Sequence, residues 1–134
     1  MKSVLRTASG VVAGMVLALA LVVAVEWFSG MVHPFPANFD GNIPAHVRRY
    51  PHWVLGVVAL AWSATSAAST WVASRLGSRV AGYIVALLLA WGLIFNLTKL
   101  PYTLWFKLVM FTAFPVACVV GVKYGKRPSP PAGG

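Results

Sequence analysis

Four long apolar segments constrain the fold of this chain more than any other feature of its sequence. They span residues 7–28, 53–74, 80–97 and 102–122. A helix needs about 20 apolar residues to cross the roughly 30 Å hydrocarbon layer of a membrane. Hydrophobic residues make up 59% of the chain and charged residues only 10%, whereas soluble proteins are roughly a quarter charged. The sequence therefore predicts an all-α, integral membrane four-helix bundle and excludes a water-soluble fold.

The connections between these segments differ greatly in length. Residues 75–79 and 98–101 form short turns, whereas residues 29–52 form one long loop that contains four prolines. We expect most of the irregular structure there, because proline disfavours regular helix. Residues 123–134 are basic and then rich in Ser, Pro and Gly, a composition typical of a disordered tail. The predicted organisation is one transmembrane domain over residues 1–122 followed by this tail.

The distribution of Lys and Arg predicts the orientation in the membrane. More of them flank the side of the two termini (Lys2, Arg6, Arg75, Arg79, Lys123, Lys126, Arg127) than the opposite side (Arg48, Arg49, Lys99, Lys107). Because cytoplasmic segments carry the excess of these residues, both termini are predicted to be cytoplasmic. A secretory signal is the alternative for the first segment. Its possible cleavage pattern, Ala18-Leu19-Ala20, lies inside the apolar run, so we favour an uncleaved helix.

The net charge of +9 bears on the partners of the chain. In a soluble protein such a charge would suggest nucleic-acid binding. In a membrane protein it is explained by topology and by contact with anionic lipid headgroups. We therefore predict membrane lipids as partners and no nucleic acid.

The second apolar segment carries a row of small side chains at intervals of four residues. The row consists of Ala61, Thr65, Ser69, Ala73 and Gly77. Small residues at this spacing let helix backbones approach closely in lipid. The row predicts a packing face, either within the bundle or against a second copy or a larger membrane complex.

The titratable residues concentrate between positions 26 and 52, where both acids and all three histidines lie. With two neighbouring arginines they form a candidate polar cluster of Glu26, His33, Asp40, His46, Arg48, Arg49 and His52. Imidazole and carboxylate groups can bind a transition metal or relay protons. No spacing matches a metal motif, so we predict neither a metal nor another cofactor.

Glu26 stands at the end of the first apolar segment, where an acid is costly unless it is paired or hydrated. The favoured interpretation is a structural tie that holds the loop onto the bundle, with Arg48 or Arg49 as the favoured partner and His33 or His52 as the alternative. A substrate or proton-handling role and a merely hydrated interfacial position are the alternatives.

Several kinds of chemistry lack the residues they require. The single cysteine, Cys118, excludes an internal disulfide and a thiolate zinc cage. The sequence contains no Gly-rich phosphate loop and no nucleophile elbow. We therefore predict that the chain is not an enzyme.

A scattered set of residues resembles a group of small four-helix bacterial membrane proteins to which no activity is assigned. The set comprises Glu26, His33-Pro34-Phe35-Pro36, Trp71, Arg75, Asn96-Leu97, Pro101 and Trp105-Phe106. The resemblance implies a four-helix inner-membrane architecture and no particular reaction. Arg48-Arg49-Tyr50 departs from the pattern, which limits any analogy for the loop.

These observations favour a non-enzymatic accessory or scaffolding subunit that forms a homo-oligomer or joins a larger membrane complex. The alternative is a small transporter or channel in which Glu26 and the loop histidines handle a cation or proton. A buried, water-filled cavity that reaches Glu26 would favour the alternative, and a dry bundle with lipid-facing grooves for a partner would favour the subunit.

Overall fold

The protein is all-helical in a computed structural model that describes residues 1–125. Its five helices are α1 (Lys2–Val32), α2 (Ile43–Arg48), α3 (His52–Leu76), α4 (Arg79–Lys99) and α5 (Leu104–Gly125), and the described residues contain no strand. All but α2 are long and apolar enough to cross a membrane. The prediction of an all-α chain with four such helices is confirmed.

The helix ends differ from those predicted by hydropathy. Helix α1 extends beyond residues 7–28 at both ends and stops at His33, because the residue before a proline disfavours helical backbone. Helix α5 includes residues 123–125, which were predicted to belong to the tail. The rest of the predicted disordered tail, residues 126–134, lies outside the described residues.

The long loop contains one short helix that hydropathy did not predict. The side chain of Asn42 accepts a hydrogen bond of 3.1 Å from the backbone N–H of Ala45 and so caps the start of α2. Pro44 stands in the first turn, where its missing N–H costs nothing. Gly41, with φ of 86°, makes the turn before this cap.

Helix α3 is the centre of the bundle. It packs against α1, α4 and α5, whereas α1 and α5 do not touch each other within residues 1–125. We call the end with the α3–α4 turn the terminal end, since α1 begins and α5 ends there. The opposite end, with residues 33–51, is the loop end.

Close backbone contacts hold the terminal end together. A Cβ atom on Gly10 of α1 would lie 2.5 Å from the carbonyl oxygen of Ala73 and 2.6 Å from Cα of Gly77. On the other side of α3, a Cβ on Gly125 of α5 would lie 2.5 Å from the carbonyl oxygen of Trp71. Helix α3 is therefore packed between two glycine-containing faces, as is typical of helices in lipid.

Large apolar side chains fill the bundle towards the loop end. There α3, α4 and α5 form a core of Val54, Leu55, Val58, Ala59, Leu93, Leu97, Phe106, Met110, Phe114 and Cys118. Phe106 and Met110 are completely buried. Because α1 contributes no fully buried residue to this core, it is held less closely at the loop end than at the terminal end.

Candidate functional site

A cavity of about 280 Å³ lies between α1, α3 and α4, with Phe114 of α5 also in its wall. On α1 it extends from Met15 to Glu26, a distance of about 16 Å along the helix axis. Most of the wall is apolar, and the side chains with polar atoms are Glu26, Trp62, Thr65, Ser66 and Asn96. The cavity is thus a long apolar groove with a carboxylate near the loop end.

Glu26 lines this cavity and is also exposed at the surface of the isolated chain, so the cavity is accessible at that point. Its carboxylate makes no hydrogen bond or ion pair with any residue of the described chain. The expected tie between Glu26 and Arg48 or Arg49 is therefore absent from the described residues. Helix α2 buries its apolar Val47 and leaves both arginines exposed, as solvation of a guanidinium favours.

The negative charge of Glu26 affects the pKa values of two tyrosines, Tyr50 and Tyr102. Burial raises the pKa of Tyr50 above its ordinary value, and the negative charge of Glu26 raises it further. The same two causes, with a smaller one from Tyr50, raise the pKa of Tyr102. Both phenols therefore stay protonated at neutral pH and are hydroxyl groups near the carboxylate.

Trp62 forms an aromatic wall on the α3 side of the cavity. Its ring makes edge contacts with the rings of Tyr102 and Phe106, at centroid distances of 6.2 and 5.8 Å. Its indole Nε1 is buried and has no hydrogen-bond partner among the described residues. A buried donor without a partner is unusual. Because this atom is not accessible, the indole ring and not its N–H lines the cavity.

The other polar side chains of the cavity are not equally available. The hydroxyls of Thr65 and Ser66 donate to the backbone carbonyls of Ala61 and Trp62, at 2.7 and 2.8 Å. The side-chain amide of Asn96 has no partner in the described chain. Two polar groups of the wall therefore remain for a ligand: the Glu26 carboxylate and the Asn96 amide.

The structure separates the histidines of the predicted polar cluster from this cavity. The rings of His33 and His46 stack at 4.3 Å, and Nε2 of His46 lies 3.1 Å from the carbonyl oxygen of His33. His52 lies elsewhere, where its Nδ1 accepts a hydrogen bond of 2.9 Å from Nε1 of Trp105. None of the three lines the cavity.

Asp40 also lies apart from Glu26. Its carboxylate accepts a hydrogen bond of 3.0 Å from the backbone N–H of Asn42. With His46 and Arg49 it borders a small depression of about 170 Å³ in the loop. Within residues 1–125 no group of three or more His, Cys, Asp or Glu side chains is placed to hold a metal ion.

The small-residue face of α3 lies inside the bundle. Thr65, Ser69, Ala73 and Gly77 are buried, and Ala61 is half-buried. A Cβ on Gly14 of α1 would lie 2.8 Å from the carbonyl oxygen of Ser69. Helix α1 thus covers the terminal half of the face, and Thr65 faces the cavity.

Trp62 and Asn96 are the cavity residues that the sequence did not indicate. A tryptophan near a helix centre is more often packing bulk, and an asparagine near a helix end is more often a cap. Only the approach of α1, α3 and α4 gives both side chains a shared cavity with Glu26.

No protein-family model, curated protein or solved structure matches the chain.

Proposed function

We propose that this chain crosses the bacterial inner membrane four times, with both termini in the cytoplasm, and acts there as a small carrier of a cation bound at Glu26. The observation that carries the proposal is the unpaired carboxylate of Glu26 in the wall of a mostly apolar cavity. A carboxylate beside apolar walls is stabilised by a counter-charge, a proton or hydration, and a bound cation supplies the first of these. The scaffolding role has less support, because α1 covers much of the small-residue face on which it was based.

The depth of Glu26 in the membrane is consistent with entry of the cation from the outer side. The stretch of α1 between Arg6 and Glu26 is uncharged and extends for about 30 Å, which matches the hydrocarbon layer. With the termini in the cytoplasm, Glu26 stands at the outer boundary of that layer. The cavity then descends from this boundary towards the middle of the membrane.

A carrier fits the shape of the cavity better than an open channel. The cavity extends along α1 only as far as Met15. Beyond it, Gly10 and Gly14 are in close contact with α3, so the cavity does not continue between these two helices. Movement of a cation across the protein would require these helices to separate.

The orientation is tested by labelling a single cysteine at Asn42, in a Cys118→Ser background, with a membrane-impermeant maleimide. Asn42 is exposed in the loop, so we expect labelling of intact spheroplasts. Labelling only after the membrane is opened would refute the orientation.

The carrier function is tested by transient currents from proteoliposomes on a solid-supported membrane. Challenges with Na⁺, K⁺, ammonium and decyltrimethylammonium cover inorganic and organic cations. We expect at least one of them to give a current that Glu26→Gln abolishes. Asp40→Asn, the matched loss of the other acid outside the cavity, should retain it. If no cation gives a Glu26-dependent current, the proposed function is wrong.

A further inference from the structure

The charged groups in the cavity wall indicate the sign of the charge that a complementary ligand carries. Glu26 is the only ionisable side chain in the wall, and no Lys, Arg or His of the described chain lines it. An anionic or zwitterionic ligand would therefore bring a negative group that no cation here could neutralise. The complementary ligand carries positive charge alone.

The free polar groups and most apolar groups of the cavity lie at different depths. Glu26 of α1 and Asn96 of α4 stand towards the loop end, because both helices run in that direction. Towards the terminal end the wall consists of apolar side chains, among them Met15 and Leu19, together with Thr65 and Ser66, whose hydroxyls already donate to backbone carbonyls. A ligand that satisfies both parts has a charged head and an apolar tail.

The size of the cavity limits that tail. Ligand pockets are commonly 300–1,000 Å³, and the volume of about 280 Å³ lies just below this range. The length of about 16 Å along α1 makes the space narrow. Such a space suits one alkyl chain rather than the two chains of a phospholipid.

Gly92 marks the side from which a tail can enter. It lines the cavity and is exposed, and a Cβ atom on it would meet nothing within 4 Å. The cavity is therefore open between α1 and α4, on a surface that faces lipid in a membrane. A Cβ atom at position 92 displaces no neighbour, so we expect a larger side chain there to be tolerated and to narrow this opening.

We propose that the cavity binds a single-chain amphipathic organic cation, with its ammonium head beside Glu26 and Trp62 and its alkyl chain between α1 and α4. The face of an aromatic ring adds attraction for a quaternary ammonium group. This inference rests on the proposed function, because it names the class of cation that Glu26 binds.

The test is equilibrium binding of radiolabelled decyltrimethylammonium to the full chain in phosphatidylcholine nanodiscs, with empty nanodiscs subtracted. We expect saturable binding that Glu26→Gln weakens about tenfold or more, because the variant removes the counter-charge in the cavity wall. Asp40→Asn should bind like the unmodified chain. Decanoate and tetramethylammonium should each compete at least about tenfold less well than unlabelled decyltrimethylammonium, since one lacks the cation and the other lacks the chain.

A second pair of variants tests the position of the alkyl chain. Gly92→Leu should weaken binding about tenfold or more by occupying the opening. Gly56→Leu adds the same side chain at another glycine with nothing within 4 Å, and it should leave binding unchanged. Matching elution volumes of the two variants in size-exclusion chromatography confirm that both are folded.

The outcomes separate this inference from the proposed function. If decanoate or tetramethylammonium competes as well as the amphiphile, or if Gly92→Leu and Gly56→Leu bind alike, the amphipathic ligand is refuted. If only inorganic cations give Glu26-dependent currents, the inference is refuted and the carrier proposal stands. If Glu26→Gln changes neither binding nor any current, both are refuted.

Discussion

Replacing Gly10 by alanine tests whether the contact between α1 and α3 holds the bundle together. The added Cβ would lie 2.5 Å from the carbonyl oxygen of Ala73 and 2.6 Å from Cα of Gly77. Favourable contacts between carbon atoms lie at about 3.5–4.0 Å, so the helices must separate locally by about 1 Å. Both neighbouring atoms belong to the backbone, and no change of side-chain rotamer can relieve the contact.

The expected cost follows from two opposing effects. Overpacking a well-packed contact costs about 1–3 kcal/mol, and a backbone contact favours the upper part of that range. Alanine is better than glycine in a helix by about 1 kcal/mol. We therefore expect Gly10→Ala to lose about 1–2 kcal/mol of unfolding free energy. Gly56→Ala, which meets nothing within 4 Å, should gain up to about 1 kcal/mol.

The difference between these two variants isolates the packing effect, because the helix propensity cancels. Equilibrium unfolding by sodium dodecyl sulfate in mixed micelles measures it, with helical circular dichroism as the signal. Gly10→Ala should unfold at a lower detergent fraction, with about 2–3 kcal/mol between the two variants. Equal midpoints would refute the argument that close backbone contact at Gly10 stabilises the bundle.

Three further predictions concern the loop end. Because the pKa of Tyr50 is raised in the folded protein, this phenol ionises at a lower pH in the unfolded chain than in the folded one. The contribution of Tyr50 to the free energy of unfolding is therefore constant below pH 10.0, its ordinary pKa, and decreases as the pH rises above that value. Glu26→Gln should lower the pKa of Tyr50, measured by ¹³C NMR of labelled tyrosine, and an unchanged pKa would contradict the proximity of Glu26. Gly41→Ala should cost about 1–2 kcal/mol of unfolding free energy, because alanine is strained at a φ of 86°. Gly41→Asn should cost less than Gly41→Ala. Equal melting temperatures of these two variants would contradict the left-handed backbone at Gly41. A double-mutant cycle of Trp105→Phe and His52→Phe should give a coupling energy of about 0.5–1 kcal/mol, because the two side chains share a hydrogen bond of 2.9 Å. A coupling energy of zero would contradict that contact.

The helices were predictable because apolar length determines which segments can cross a membrane. Their ends were not, because a helix continues beyond its apolar stretch wherever the backbone permits. Helix α1 includes Lys2 and continues past Glu26 until Pro34 disfavours helical backbone at His33. Helix α2 has no hydropathy signal, although Asn42 followed by Pro44 is a typical helix start.

The candidate site was predictable only in part. Glu26 was evident from the sequence, since it is the only acid near a long apolar segment. Its surroundings depend on how helices from distant parts of the chain meet. His33 and His46 stack on each other instead of facing Glu26, and Asn96 joins Glu26 in the cavity from a helix some 70 positions away. Position along the chain gives no information about such pairs.

The location of the cavity follows from the unequal packing of α1. At the terminal end, Gly10 and Gly14 let its backbone approach α3 closely. Further along, Leu19, Val22 and Glu26 line the cavity between α1, α3 and α4. The same helix thus closes the bundle at one end and opens it at the other, where its only acid lies.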